Sequence, residues 1–155
     1  MVVNWGQLDL EGASPGDVEV HPETDMSADP AMPILVIDDY QTMVRIICNL
    51  LKQIGYENVD QASNGAQALE MIKAKEYGLV ISDWNMQPMT GFELLQKLRM
   101  DPAHAGTPFI MVTAESKTDN VIAARKAGVS SYIVKPFNAA TLKAKIDAVF
   151  AAKAA

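Results

Sequence analysis

The sequence predicts an α/β fold in which an open, five-stranded parallel sheet is covered by helices on both faces. Two observations lead there. From Met32 onward, short apolar runs alternate with longer amphipathic stretches, the pattern of strands that crossover helices bury from both sides. The alternation repeats five times within 155 residues, a length at which one hydrophobic core forms without disulfides or a structural metal.

The elements follow in order. Ile34 to Ile37 reads as a buried strand, after which Met43, Ile46, Ile47, Leu50, Leu51 and Ile54 recur at the i, i+3, i+4, i+7 spacing of one helix face. Gly55 stops that helix. A weaker strand spans Val59 to Ala62, a helix about Ala66 to Lys75, and a central strand runs through Leu79, Val80 and Ile81 to end at Ser82 and Asp83. Phe92, Leu94, Leu95 and Leu98 mark the third helix, and Phe109 to Val112 the fourth strand. Asn120 to Ala127 lies in the fourth helix before Gly128, Tyr132 to Val134 forms the last strand, and Leu142, Ile146, Val149 and Phe150 stripe the last helix.

Charge divides the chain differently. Residues 1–33 carry seven of the 19 acidic residues and none of the 13 basic ones. This stretch is also rich in Gly, Pro, Ser and Asp and has no sustained apolar period, so burial does not offset its ordering entropy. Residues 1–32 are therefore expected to be a disordered acidic tail, with Met26 and Met32 as alternative starts, and 33–155 the folded domain. Within the tail, Val2, Val3, Trp5, Leu8 and Leu10 form a short apolar set suited to docking on a partner. The remainder is near neutral with no concentrated basic stripe, which argues against direct nucleic-acid binding. No apolar run approaches the roughly 20 residues of a membrane-spanning helix, and the N-terminus lacks a secretory pattern. A cytoplasmic, membrane-free, monomeric protein is expected. Cys48 lies in a helical apolar stripe, where an inert buried thiol is expected.

In open parallel sheets the binding crevice lies beyond the carboxyl ends of the strands. Here the first strand ends in Asp38 and Asp39, the third in Asp83 and the fourth in Thr113, while the fifth runs into Lys135 and Pro136. One acid at such a place is ordinarily a helix cap. Three converging carboxylates repel one another by several kcal/mol at an effective dielectric of about 20, and a hard divalent cation relieves that repulsion. The set matches what phosphoryl transfer to a carboxylate requires, since positioning and charge neutralisation supply most of that catalysis. Asp83 is the candidate nucleophile. Asp38, Asp39 and Asp83, with the backbone carbonyl of Asn85, are candidate ligands for Mg²⁺ or a substituting Mn²⁺. Lys135 and Thr113 are candidate contacts for the phosphoryl oxygens.

Four segments at strand ends carry a resemblance: Leu35-Val36-Ile37-Asp38-Asp39, Ile81-Ser82-Asp83-Trp84-Asn85-Met86, Met111-Val112-Thr113-Ala114-Glu115 and Tyr132-Ile133-Val134-Lys135-Pro136-Phe137. In this order they resemble a CheY-type response regulator receiver domain, over about four fifths of the chain. The resemblance implies a flavodoxin-like, doubly wound sheet with strand order 2-1-3-4-5. It also implies Asp83 as phospho-acceptor, Asp38 and Asp39 as metal ligands, Thr113 and Lys135 as phosphate contacts, Tyr132 as the switch aromatic, and a cis bond between Lys135 and Pro136. Asn85 and Glu115 fall at positions that tune access of water to the phosphate, and both are of the type that favours a short phosphate lifetime. Trp84, beside the acceptor, would report metal and phosphate binding by its fluorescence. Phosphate on Asp83 would draw Thr113 toward its oxygens, Tyr132 would turn into the vacated space, and the face formed by the fourth helix, fifth strand and fifth helix would change its affinity for a partner.

The resemblance implies a histidine kinase as phosphate donor and, because only about 20 residues follow Lys135, output through a separate protein such as the flagellar motor switch. A phosphorelay intermediate or phosphate sink is the alternative. One local departure stands out: Gln87 precedes Pro88 after the Asn85-Met86 pair, where CheY-type chains place the proline directly. Rival readings fit less well. An Asp-nucleophile phosphatase would place a second carboxylate two residues after the first, where this chain has Asn85. A nucleotide or flavin binder would have a phosphate-cradling loop where this chain has Asp38-Asp39.

Overall fold

The computed structural model describes residues 28–114 and 118–154. The apolar set near the N-terminus and Glu115 lie outside the described residues. Five strands, β1 (Ile34–Ile37), β2 (Val59–Ala62), β3 (Leu79–Asp83), β4 (Phe109–Thr113) and β5 (Ser131–Val134), form one parallel sheet in the order β2-β1-β3-β4-β5. They alternate with α1 (Gln41–Gln53), α2 (Gly65–Ala74), α3 (Gly91–Met100), α4 (Thr118–Lys126) and α5 (Ala139–Ala154). This is the doubly wound, flavodoxin-like arrangement expected of the sequence.

The strand period of two explains why the central strands are apolar throughout. Ile34 and Val36 of β1, Leu79 and Ile81 of β3, and Ile110 and Val112 of β4 pack with α1 and α5 on one face. Leu35, Ile37, Val80, Phe109 and Met111 point the other way, onto α2 and α3. β2 is an edge strand in which Ala62 alone is buried, which accounts for its weak apolar signal. Side chains fix several helix starts: Asn64 caps α2, Thr90 and Glu93 form a capping box on α3, and the Asn138 carboxamide accepts from the Thr141 N–H at 2.8 Å at the start of α5. Among the described residues no helix is long and apolar enough to cross a membrane.

Three details depart from the sequence reading. In α1 the fully buried positions are Val44, Ile47 and Leu51, while Ile46 is exposed; the buried stripe is rotated relative to the one read from the apolar residues. Helix α2 spans Gly65–Ala74, one residue earlier at each end than the sequence reading places it. Residues 28–32, assigned to the tail, form a packed turn in which the Met32 N–H donates to the Asp29 carbonyl at 3.0 Å. The Asp29 carboxylate accepts from the Ala31 N–H, and Ala28 and Met32 are buried against the α1–α5 face. Cys48 is partly buried, its thiol pushed up by that burial.

A polar cluster supports the β2 edge. The buried Tyr77 hydroxyl donates to Asp60 at 2.6 Å and Lys75 reaches the same oxygen at 3.0 Å. Burial and the Asp60 bond push Tyr77 up to about 12, and the Tyr77 and Lys75 bonds hold Asp60 below the usual carboxylate range. The two groups act at opposite ends of the pH scale. Asp60's contribution is present above the unfolded carboxylate pKa and is lost as pH falls through its depressed folded value. Tyr77's is complete below its ordinary value of 10.0 and is lost as pH rises through about 12. Tyr77→Phe is expected to cost about 1 kcal/mol near neutrality, modest because Asp60 is partly solvated, and to flatten both limbs. Urea unfolding across pH measures this.

Candidate functional site

Strand register builds the site. Ile37 pairs with Ser82 across β1 and β3, so Asp38 and Asp83 emerge side by side at the carboxyl edge. The ladder continues one step past the strands: the Asp38 N–H donates to Ala62, Trp84 to Val112 and Lys135 to Thr113, the last at 2.8 Å. Main-chain bonding thus holds the chain at each functional position before any side-chain contact is made.

Asp38, Asp83 and Thr113 are buried, whereas Asp39 is exposed. One carboxylate oxygen from each of Asp38, Asp39 and Asp83 lies within 4.8 Å of the others. Lys135 Nζ reaches Asp83 Oδ1 at 3.0 Å and Asp38 Oδ2 at 3.2 Å, and Asp38 Oδ1 accepts from the Tyr40 N–H at 2.9 Å. Burial pushes Asp83 above the usual carboxylate range, against the Lys135 hydrogen bond and with the help of the Asp38 charge. Burial likewise raises Asp38, opposed by the Tyr40 N–H and Lys135. For Lys135 burial pulls downward, but the bonds and charges of Asp83 and Asp38 outweigh it and hold the ammonium above its ordinary range.

One ammonium among three carboxylates leaves a surplus of negative charge. At an effective dielectric of about 20, each like pair at this spacing repels by about 3–4 kcal/mol. A tight group of hard oxygen donors with excess negative charge, one of them at the solvent edge, fits a hard divalent cation such as Mg²⁺.

The structure therefore brings together Asp38, Asp39, Asp83 and Lys135, with Thr113 ending the neighbouring strand β4. Asn85 lies exposed in the turn between β3 and α3, and Tyr132 is partly buried on β5. The Lys135-Pro136 bond is cis, and so is Gln87-Pro88 in the departing loop, which the sequence reading did not foresee.

Three further residues, to which the sequence assigns no role at the site, support it. Ser82 Oγ donates to the Asp83 carbonyl at 2.9 Å. Phe92 stacks on the Trp84 indole with centroids 5.2 Å apart. A Cβ at Gly91 would collide with the Asp83 carbonyl, leaving no space for a side chain, and the Gly91 N–H donates to the Trp84 carbonyl at 2.9 Å. Thr90-x-x-Glu93 is a capping signature visible in the sequence and marks where α3 starts, but the crowding at Gly91 arises only once the loop has closed. Gly91→Ala must displace backbone at the acceptor; a cost of about 1–3 kcal/mol is expected, together with weakened Mg²⁺ binding. Thermal unfolding and Mg²⁺ titration of one preparation measure both.

The profile of the response regulator receiver domain family matches residues 34–147. The chain is similar to the chemotaxis protein CheY-3 of Vibrio cholerae, at 47% identity over 119 residues that cover 77% of this chain and 92% of the relative. It is also similar to the chemotaxis protein CheY of Pseudomonas aeruginosa, at 46% identity over 77% of this chain and 96% of the relative. Among solved structures it superposes on Vibrio cholerae CheY4 with a TM-score of 0.72 at 32% identity, covering 77% of this chain and 98% of that one. The strand order, the acidic cluster at the strand ends and these likenesses agree: the chain belongs to the response regulator receiver domain family, as a CheY-like signalling protein.

Proposed function

We propose that this receiver accepts a phosphoryl group from a histidine kinase onto Asp83 and signals through a separate protein, in chemotaxis. The observation that carries the reading is the cluster of Asp38, Asp39 and Asp83 with Lys135 Nζ on two of its members. Receiver domains of this family bind Mg²⁺ in an acidic pocket, and Asp38, Asp39, Asp83 and the Asn85 carbonyl would hold it here. When bound, the cation neutralises the charge that otherwise keeps an anionic phosphoryl group from approaching a carboxylate.

The chain's own residues have separable tasks. An Asp83 oxygen attacks phosphorus; the bond from phosphorus to the donor imidazole nitrogen breaks as the new P–O bond forms, and the imidazole leaves with the electron pair. Lys135, already poised at 3.0 Å from Asp83, pairs with a phosphoryl oxygen, and the Thr113 hydroxyl donates to another. Hydrolysis reverses the state: water attacks phosphorus, releasing inorganic phosphate and the free carboxylate, with Asn85 and Glu115 governing its access. The chain thus turns over only its own phosphate.

Output follows from the movement of Thr113 and then Tyr132, which alters the α4-β5-α5 face. The names of the two relatives support a role in chemotaxis; on this reading the listener is a flagellar motor switch protein, and the protein acts in the cytoplasm as a monomer. Incubation with acetyl phosphate and Mg²⁺ tests the first step. A mass gain of one phosphoryl group, absent when Mg²⁺ is chelated, is expected; an unchanged mass in a folded protein would sink the proposal.

A further inference from the structure

Beside the acceptor lies a feature that the chemistry above does not use. The Trp84 indole is stacked nearly parallel on Phe92 of α3, at 5.2 Å and 12°. Its other ring contact among the described residues is edge-on to the Tyr132 ring of β5, at 6.4 Å and 69°. Three aromatic side chains, from the turn after β3, from α3 and from β5, thus form a continuous row. All three are partly buried rather than sealed in the core, so the row is placed where a ring can move.

The backbone under Trp84 is fixed at both ends. Its N–H donates to Val112 of β4, and its carbonyl accepts from Gly91 at the start of α3. With the main chain pinned, the direction of the indole depends on what packs against it, and the stacked neighbour is Phe92. The indole in turn supplies an edge contact to Tyr132, whose strand neighbour in register is Met111, two residues before Thr113. Any rearrangement that turns Tyr132 must give up or remake its contact with Trp84.

We propose that Phe92 is a positioning residue for the switch: by stacking on Trp84 it holds the indole against Tyr132 and biases the protein toward the phosphate-free arrangement. This rests on the proposed role of Tyr132. Aromatic pairs of this kind bias a two-state equilibrium by roughly two- to tenfold, enough to set how readily the switch responds without deciding whether it can. The bias is reciprocal: whatever favours the other Tyr132 arrangement must also weaken this contact, and losing the contact must help phosphate analogues bind.

The test uses Phe92→Met, which keeps bulk and removes the ring, with Phe92→Tyr as the conservative control. Both are made in a Trp5→Phe background so that Trp84 is the sole tryptophan, excited selectively at wavelengths too long for tyrosine to absorb. In the metal-free protein, Phe92→Met should shift Trp84 emission, and the Tyr132 ring resonances should move toward their beryllofluoride-bound positions. In the presence of Mg²⁺, half-maximal response to beryllofluoride should need roughly two- to tenfold less of it, with Phe92→Tyr at the parental value. A loss of packing alone would lower the thermal midpoint without moving the half-maximal concentration. Unchanged Tyr132 resonances and an unchanged beryllofluoride midpoint in folded Phe92→Met would overturn the inference. A parent protein that takes no beryllofluoride would instead overturn the proposed acceptor function.

Discussion

Asp83→Asn is expected to abolish phosphoryl uptake and, at the same time, to make the metal-free protein more stable. The first effect follows from chemistry: a carboxamide has no anionic oxygen to attack phosphorus. The second follows from the site's electrostatics. Burial raises Asp83 above the ordinary carboxylate range, so the folded state holds the proton more tightly than the unfolded chain does. Its contribution to stability is full below the unfolded value and is lost as pH rises through the raised folded value. At neutral pH the ionised side chain is therefore a burden that the Asn variant lacks, while Asp38 keeps its bond to Lys135 at 3.2 Å. A gain of about 1–2 kcal/mol is expected at pH 7.5, shrinking toward zero below about pH 4. Saturating Mg²⁺ should narrow the difference, because the cation binds the folded parent more tightly than the variant. Urea unfolding of both proteins across pH, with and without Mg²⁺, measures all three.

Lys135→Met is expected to act in the opposite direction and more strongly. Asp38 and Asp83 are both buried, and Lys135 is the cation that bonds to each. Removing it leaves two like charges together without their counter-ion, a change that costs about 3–5 kcal/mol when a buried pair is broken. The sign of the pH dependence is again fixed. Without the ammonium both carboxylates are held still further above their ordinary range, so the deficit is greatest at neutral pH and is relieved by acidification. Mg²⁺ should relieve it too, leaving a variant whose stability depends far more on the divalent cation than the parent's does. Even when metal-loaded, it would lack the group proposed to pair with the phosphoryl oxygen, so phosphate should produce little change at the proposed output face. A stability loss under about 1 kcal/mol at pH 7.5 would mean that solvent already screens the cluster.

Much of this site was legible in the sequence because a parallel sheet converts order along the chain into position in space. Once Ile34–Ile37, Leu79–Ile81 and Phe109–Val112 are read as strands, Asp38, Asp83 and Thr113 must fall at one edge, and the registers of Ile37 with Ser82 and of Asp83 with Val112 are what make them neighbours. Lys135 followed by the same reasoning from β5. Contacts that depend on packing between distant segments were not legible. Gly91 looks like any helix-start glycine until the loop brings it against the Asp83 carbonyl. Phe92 fits an apolar stripe and gives no sign that it stacks on Trp84 instead of entering the core. Ile46 has the right spacing for the α1 interface, yet the helix is rotated so that Val44 takes the buried place. Ala28 and Met32 lie in a Pro-rich stretch with no apolar period of its own, and their burial depends on a surface that α1 and α5 create. The divide is thus between positions set by strand periodicity and those set by how elements meet.

The most direct measurement is to identify the modified side chain itself. After incubation with acetyl phosphate and Mg²⁺, borohydride reduction converts an acyl phosphate on aspartate to homoserine, and peptide mass spectrometry reads the position. Homoserine at position 83, absent in controls without acetyl phosphate or without Mg²⁺, is the expected result. Homoserine at position 38 or 39 with Asp83 intact, or no conversion in a protein that is folded and binds Mg²⁺, would contradict it.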